Sequence, residues 1–278
     1  MNAISVVMTA YKAEENITEA IESVLNQSFS DFEFIILNDS SNDNTREIIC
    51  SYDDKRIRLI DNERNQSQSL YLGLKAAKGK YIARFDANDI MHIDRLKIQY
   101  AMMEEFPQIT ICSSREIIFG EKIPKRINEQ QKVGLIENPL MTLLLDDTIS
   151  HSAYMIRRSF ISDQNMMAVN DAFVDDYQLW VETAKQNGVF YVESQPLVYK
   201  RISDLTISRK ERKEKLQAKS KTKKELLYRL CLKNETYPSL ISLCNAYYEL
   251  SGQKLISENE IVRTFHSLFR KNKDKLNY

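Results

Sequence analysis

Two apolar runs separated by one amphipathic stripe constrain this chain more than any other feature. Ala3-Ile4-Ser5-Val6-Val7-Met8-Thr9 is a short β-rich run, and Phe32 to Leu37 is a nearly continuous apolar one. Between them Ile17, Ala20, Ile21, Val24 and Leu25 recur at i, i+3, i+4, i+7 and i+8, the buried face of a helix. A strand that is apolar on both sides needs cover on both faces, and a strand–helix–strand unit supplies it through a parallel crossover. The rhythm continues with a strand at Arg56–Ile60, a helix at Ser69–Ala77 with Gly79 just past its end, and a strand at Tyr81–Phe85. The expected fold class is α/β, a mixed, mainly parallel Rossmann-like sheet flanked by helices.

Beyond about residue 107 the pattern loosens. Ile109–Ser113, Ser152–Ile156 and Val189–Val192 suggest strands, and Pro139–Leu145 and Asp175–Gln186 suggest helices. From Arg209 the character changes: between Arg209 and Glu225 stand nine basic and three acidic residues, with almost nothing apolar apart from Leu216. Leu226–Leu232 and Leu240–Leu250 then read as amphipathic helices. These shifts predict an α/β domain over residues 1–208 and a C-terminal helical appendage over residues 209–278.

Composition excludes several classes. Lys+Arg 39 against Asp+Glu 39 leaves no basic excess for a nucleic-acid partner. No run of about 18 apolar residues exists to cross a bilayer. The first nine residues lack the basic start of a secretory signal, and Cys50, Cys112, Cys231 and Cys244 are too scattered for a zinc knuckle or a disulfide scaffold. The expectation is a cytoplasmic protein. With only 6 glycines there is no GxGxxG for a dinucleotide, and GxxxxGK[ST] and GxSxG are absent. His92, His151 and His266 form no HExxH.

Ligands of open parallel sheets bind outside the carboxyl ends of the strands. Asp39 follows the second strand, and Asp86 follows the fourth with Asn88 and Asp89 close behind. Turn chemistry and helix capping explain any one of these acids alone. Carboxylates at two separate strand ends point instead to a nucleotide or a hard cation, Mg²⁺ or Mn²⁺, bridging phosphates.

Taken together, Val6-Val7-Met8-Thr9-Ala10-Tyr11-Lys12, Phe34-Ile35-Ile36-Leu37-Asn38-Asp39-Ser40-Ser41-Asn42-Asp43 and Lys80-Tyr81-Ile82-Ala83-Arg84-Phe85-Asp86-Ala87-Asn88-Asp89 carry a resemblance. In order and spacing they resemble family 2 glycosyltransferases of the GT-A fold, over roughly residues 3–208. The resemblance implies inverting transfer of a sugar from a nucleotide diphosphate sugar, often a UDP-sugar, to a glycan or lipid-linked acceptor. It implies that Thr9, Ala10, Tyr11 and Glu14 line the nucleoside pocket, that Asp39 accepts from the base, and that Arg84 and Asp86 hold the ribose and diphosphate. Asp86-Ala87-Asn88 stands at the family's DxD motif. Its last acid, a metal ligand, is replaced here by Asn88, which leaves the Mn²⁺ or Mg²⁺ to Asp86 with the Asn88 carbonyl or Asp89.

Phe173-Val174-Asp175-Asp176-Tyr177-Gln178-Leu179-Trp180 resembles the family's acidic pair before Leu-Trp. The resemblance makes Asp176 the general base and puts Asp175 and His151 beside the acceptor. Acids at a helix start that favour the macrodipole are the plainer reading. Tyr199 to Ser208 resembles the loop that closes over the donor phosphates, with Arg201 on a phosphate and Ser203 where the family commonly has histidine. A protein that binds nucleotide-sugars without turnover is the alternative reading, and a nucleotidyltransferase is a third that lacks its glycine-rich loop. The basic stretch Arg209–Lys224 suggests either a solvated helix face or peripheral contact with anionic lipid at the inner face of the membrane.

Overall fold

Strand β1 (Ile4–Ala10) runs parallel between β2 (Phe32–Asp39) and β4 (Tyr81–Asp86), and all seven of its residues are buried. Its two faces are covered differently. Ile4, Val6 and Met8 join Ile17, Ala20, Ile21 and Val24 of α1 (Ile17–Leu25) in one hydrophobic cluster. Each of these buried helix side chains, alanine aside, contributes about 1.5–3 kcal/mol by leaving water. Val7 points the other way, toward α3 (Gln66–Ala76). A Cβ on Gly73 would lie 2.4 Å from Val7 Cγ1, so that helix sits on the sheet only because residue 73 has no side chain.

The computed structural model describes residues 2–62, 66–121, 123–129, 131–145, 149–161, 176–202, 209–234, 236–272 and 274–276. Among them the strands form a ten-stranded sheet in the order β3-β2-β1-β4-β9-β6-β10-β5, where β3 is Ile57–Asn62, β5 Ile90–Met91, β6 Ile109–Gly120, β9 Met155–Arg157 and β10 Val189–Arg201. Strands β7 (Ile123–Ile127) and β8 (Gly134–Ile136) pair with β6 and β10. The first four strands are wholly parallel. Strand β9 is antiparallel to both β4 and β6, so β4, β6 and β10 still point the same way. Their carboxyl ends, carrying Asp86 and Arg201, therefore share one edge with those of β1 and β2.

Two segments that depart from the sequence reading lie next to the site. Residues 152–156 do not make one strand: His151–Ala153 is a 3₁₀ turn, and only Met155–Arg157 pairs. The cause is α4 (Arg95–Glu105), whose Arg95 and Gln99 side chains take the carbonyls of Ser152, Ala153 and Tyr154. Strand β10 runs on past Val192 to Arg201 instead of ending there. Pro196 has no N–H for the ladder, and the strand passes it through register shifts rather than a turn.

Two compact units divide the chain: Met1–Glu137 with Thr148–Thr206, and Asn138–Asp147 with Ile207–Tyr278. The second holds α5 (Pro139–Leu145), α7 (Arg209–Leu232), α8 (Ser239–Gly252) and α9 (Glu258–Lys271). The basic stretch and Leu226–Leu232 form one continuous 24-residue helix. Helix α9 goes beyond the sequence reading. Ser257 and Glu260 form a reciprocal capping box at its start, and Ile261, Val262, Phe265 and Phe269 are its buried stripe. Leu140, Leu143 and Leu144 of α5, Leu226, Leu227 and Leu230 of α7 and Cys244 of α8 are buried with them. No helix among the described residues is long and apolar enough to cross a membrane.

Candidate active site

The loops after β1 and β2 knit together at the carboxyl edge. Lys12 N–H donates to Ser41 Oγ (3.1 Å), Ala13 N–H to Thr45 Oγ1 (2.8 Å) and Glu14 N–H to Asp43 Oδ2 (3.3 Å). Glu14 in turn accepts from the backbone and side-chain amides of Asn44, both at 3.0 Å, at the start of α2 (Thr45–Cys50). Lys12 and Ser40 both take left-handed backbone angles (φ 47° and 50°). A non-glycine residue there costs on the order of 1 kcal/mol, and such strain gathers at ligand clamps. Thr9, Ala10, Tyr11, Glu14 and Asp39 thus lie on two adjacent strand ends. Asp39 is buried and accepts from Ser69 Oγ at 3.2 Å.

Arg84 organises the centre. It is 4% exposed, on β4, two residues before Asp86. Its Nη2 lies 2.7 Å from Asp86 Oδ1 and donates to Thr9 Oγ1 at 2.9 Å, its Nη1 donates to the Phe85 carbonyl, and its Nε is 3.6 Å from Asp176 Oδ1. Two carboxylates ninety residues apart thus converge on one buried guanidinium. Asp176, the first residue of α6 (Asp176–Lys185), has two further partners: Tyr154 OH donates at 2.7 Å, and His151 Nδ1 stands 2.8 Å from Oδ2. A charged carboxylate accepts only, which puts a proton on His151 Nδ1. The second oxygen of Asp86 accepts from Ser152 Oγ at 2.8 Å. Leu179 and Trp180 are core, both 0% exposed, and the Trp180 ring lies 5.1 Å from that of His151.

The electrostatics follow from these partners. Burial works against a charged Asp176, but Arg84 and the hydrogen bonds from His151 and Tyr154 outweigh it and bring the carboxyl down to about 2. Burial likewise opposes charge on Asp86, and Arg84 again prevails, holding it below the ordinary range. Asp89 has only weaker help, from the Ser152 hydroxyl and the Lys200 charge. Burial and then the Asp86 charge push it up to about 7, although Arg201 N–H donates to its Oδ1 at 2.9 Å. The Arg201 side chain donates to the Asn88 carbonyl (3.1 Å), pairs with Glu19 of α1 and stacks on Phe119 at 4.6 Å.

Asp86, Asn88 and Asp89 therefore form one turn: Asp86 a third exposed, Asn88 exposed and Asp89 buried. No group of three or more His, Cys, Asp or Glu side chains able to hold a metal occurs among the described residues. Two carboxylates are nonetheless a sufficient protein contribution for Mg²⁺, which keeps waters and phosphates in its shell. Burial first and the Asp86 charge second raise Asp89, and a hard cation held there would relieve the second of these, so the residues fit the group. Asp175 and Ser203 lie outside the described residues.

Ser152 and Tyr154, which hold Asp86 and Asp176, were not legible as site residues. Neither belongs to a chemical motif, and only their position on the turn before β9 gives them a role. Arg95 was equally silent.

An open, mostly parallel sheet covered on both faces, with acids gathered at its carboxyl edge, is the GT-A fold of the nucleotide-sugar transferases. TarS of S. aureus, solved as residues 1–349 in complex with UDP, shares it with a TM-score of 0.61 at 19% identity, over 86% of this chain and 72% of that one. The chain itself belongs to glycosyltransferase family 2: the model described as glycosyl transferase family 2 matches residues 5–163. Asp176 and Arg201 lie beyond that match. An uncharacterised glycosyltransferase of Haemophilus influenzae is 32% identical over 194 residues, which are 66% of this chain and 60% of that protein. The UDP-Glc:alpha-D-GlcNAc-diphosphoundecaprenol beta-1,3-glucosyltransferase WfgD of Escherichia coli is 30% identical over 188 residues, 62% of this chain and 74% of WfgD.

Proposed function

We propose that this chain is an inverting glycosyltransferase that moves a sugar from a UDP-sugar to a hydroxyl of a glycan or lipid-linked acceptor. The observation that carries the reading is the convergence of Asp86 and Asp176 on Arg84 at the carboxyl edge of the sheet. Thr9, Ala10, Tyr11, Glu14 and Asp39 form the nucleoside side of the pocket, and Arg201 reaches the diphosphate from the end of β10. Arg84 is buried, its two terminal nitrogens are committed to protein groups, and its Nε faces Asp176 at 3.6 Å. It serves the donor by fixing Asp86 and Thr9 rather than by touching phosphate itself.

Asp176 is the general base, and His151 stands at the acceptor. The acceptor oxygen attacks the anomeric carbon from the face opposite the diphosphate, the bond to UDP breaks, and the hydroxyl proton passes to the carboxylate. A carboxyl held at about 2 is a weak base. It works late, once the forming C–O bond has made the hydroxyl acidic, and its charge also favours the oxocarbenium-like transition state. Asp86 and Asp89, with the side-chain amide oxygen of Asn88, would hold Mn²⁺ or Mg²⁺, which when bound would neutralise charge on the departing diphosphate.

A lipid-linked acceptor accords with the name of the E. coli relative and with the basic stretch Arg209–Lys224, which lies within one helix. That stretch meets anionic headgroups at the cytoplasmic membrane face. The decisive experiment incubates the purified chain with a panel of UDP-sugars and Mn²⁺. Transfer, or slow hydrolysis to UDP, is expected with at least one donor. Tight UDP binding with neither reaction across the panel would favour the binding-only alternative that Asn88 raises.

A further inference from the structure

Helix α4 carries a buried cation that no carboxylate of the described residues touches. Arg95 is 0% exposed, and its guanidinium spends its N–H groups on neutral oxygens: Nη1 on the Ser152 carbonyl (2.5 Å), Nη2 on the carbonyls of Arg84 (2.8 Å) and Tyr154 (3.1 Å), and Nε on Gln99 Oε1 (3.0 Å). Gln99, one turn further on and also 0% exposed, donates to the carbonyls of Ala153 (2.8 Å) and Cys112 (2.9 Å). The three residues whose carbonyls Arg95 holds are the same three whose side chains hold the acids. Ser152 Oγ is on Asp86, Tyr154 OH is on Asp176, and Arg84 pairs with both.

Packing alone does not call for this. A buried charge is costly, and a neutral side chain of like volume would fill the space with less desolvation. Only guanidinium offers five N–H donors in one rigid plane, enough to fix several carbonyls at set angles at once. The Ser152 and Tyr154 carbonyls belong to the turn leading into β9, where Arg84 N–H already donates to the Tyr154 carbonyl (3.0 Å), and the Arg95 fork ties that turn to β4 at further points and so helps set the direction of its side chains.

We infer that Arg95, seconded by Gln99, is a positioning residue of the transfer centre. By clamping the backbone of Arg84, Ser152 and Tyr154 from behind, it sets where Asp86 and Asp176 stand. The inference rests on the proposed transfer reaction for its kinetic consequence, but its structural half stands without it. A displacement of about 1 Å in a reacting group can cost on the order of 100-fold in rate.

The test compares Arg95→Lys, Arg95→Gln and Gln99→Met with a core control, Val24→Ala, chosen to lower the melting temperature without touching the turn. Each is assayed well below its melting temperature. Arg95→Gln is expected to lower kcat about 10–100-fold with donor KM within about threefold. Arg95→Lys, which keeps the charge but loses the planar fork, should recover only part. The ¹⁵N resonances of the His151 ring, which report its bond to Asp176, should move in Arg95→Gln and Gln99→Met and stay put in Val24→Ala. Unchanged kcat and unchanged His151 resonances in a folded Arg95 variant would overturn the inference. If Arg95→Gln does not fold, Gln99→Met and Arg95→Lys decide by the same readouts. Should the native chain transfer no sugar, the functional reading falls, while the His151 resonances still decide whether Arg95 sets the turn.

Discussion

The same strands end in opposite ways at their two edges. At the amino edge, polar groups are matched locally. Ser5 Oγ donates to Glu33 (2.6 Å) and accepts from Gly79 N–H (2.8 Å), and Lys78 N–H donates to Glu33 (2.7 Å). Glu104 beside them takes Lys80 and the Tyr81 hydroxyl. Each acid there has its own donors, and none competes with another. At the carboxyl edge two acids depend on one guanidinium, and Asp89 is pushed up to about 7 by burial and by Asp86. One edge is balanced for stability. The other is crowded, as a surface must be if a ligand is to complete it.

Breaking the crowded edge should have the largest effect. Asp176→Asn keeps the shape and the Tyr154 contact but loses the proposed base, so transfer should fall about 10²–10⁴-fold with UDP affinity nearly unchanged. A steady-state assay beside calorimetric UDP titration checks both halves, and an active variant would remove Asp176 from its role. Arg84→Met leaves Asp86 and Asp176 without their shared cation and should cost about 3–5 kcal/mol of stability by denaturant unfolding. Equal stability would mean the two acids do not need it.

Acid sharpens the comparison further. The Asp176 carboxyl sits near 2 when folded against 3.8 in its ordinary state. Its contribution, roughly 2 kcal/mol, is in place above about pH 4 and is lost as the pH falls toward 2. The native chain should therefore lose stability over that window relative to Asp176→Asn, and parallel curves would contradict the assigned partners. The smallest effect belongs to the balanced edge. Ser5→Ala orphans the buried Gly79 N–H and should cost about 1–2 kcal/mol with kcat unchanged. A fall in kcat there would dissolve the distinction between the edges.

The sequence made the parallel half of the sheet legible because β1, β2 and β4 are apolar on both faces and two of them, β2 and β4, end at acids that turns alone do not explain. It left the remainder obscure for identifiable reasons. Strand β6 runs through Ser113, Ser114, Arg115 and Glu116, which neither alternate nor form an apolar run, so it reads as ending at Ser113 when it continues to Gly120. Strand β10 contains a proline that looks like a stop. Helix α9 was readable from Ser257, Glu260 and the stripe Ile261, Val262, Phe265 and Phe269. For the site, motif residues identify the acids, but the groups that hold them in place, Ser152, Tyr154 and Arg95, are ordinary residues whose meaning arises only from contact.

The path of the backbone through the helical unit carries a practical consequence. That unit takes Asn138–Asp147 from the middle of the chain as well as everything after residue 206, and α5 rests within it on α7 and α9. A protein shortened at residue 206 would not be a clean catalytic core. It would retain α5 with Leu140, Met141, Leu143 and Leu144 stripped of their cover, a sticky greasy stub prone to self-association. Trimming from the carboxyl terminus is thus the wrong way to isolate the α/β portion, unless those four side chains are made polar at the same time.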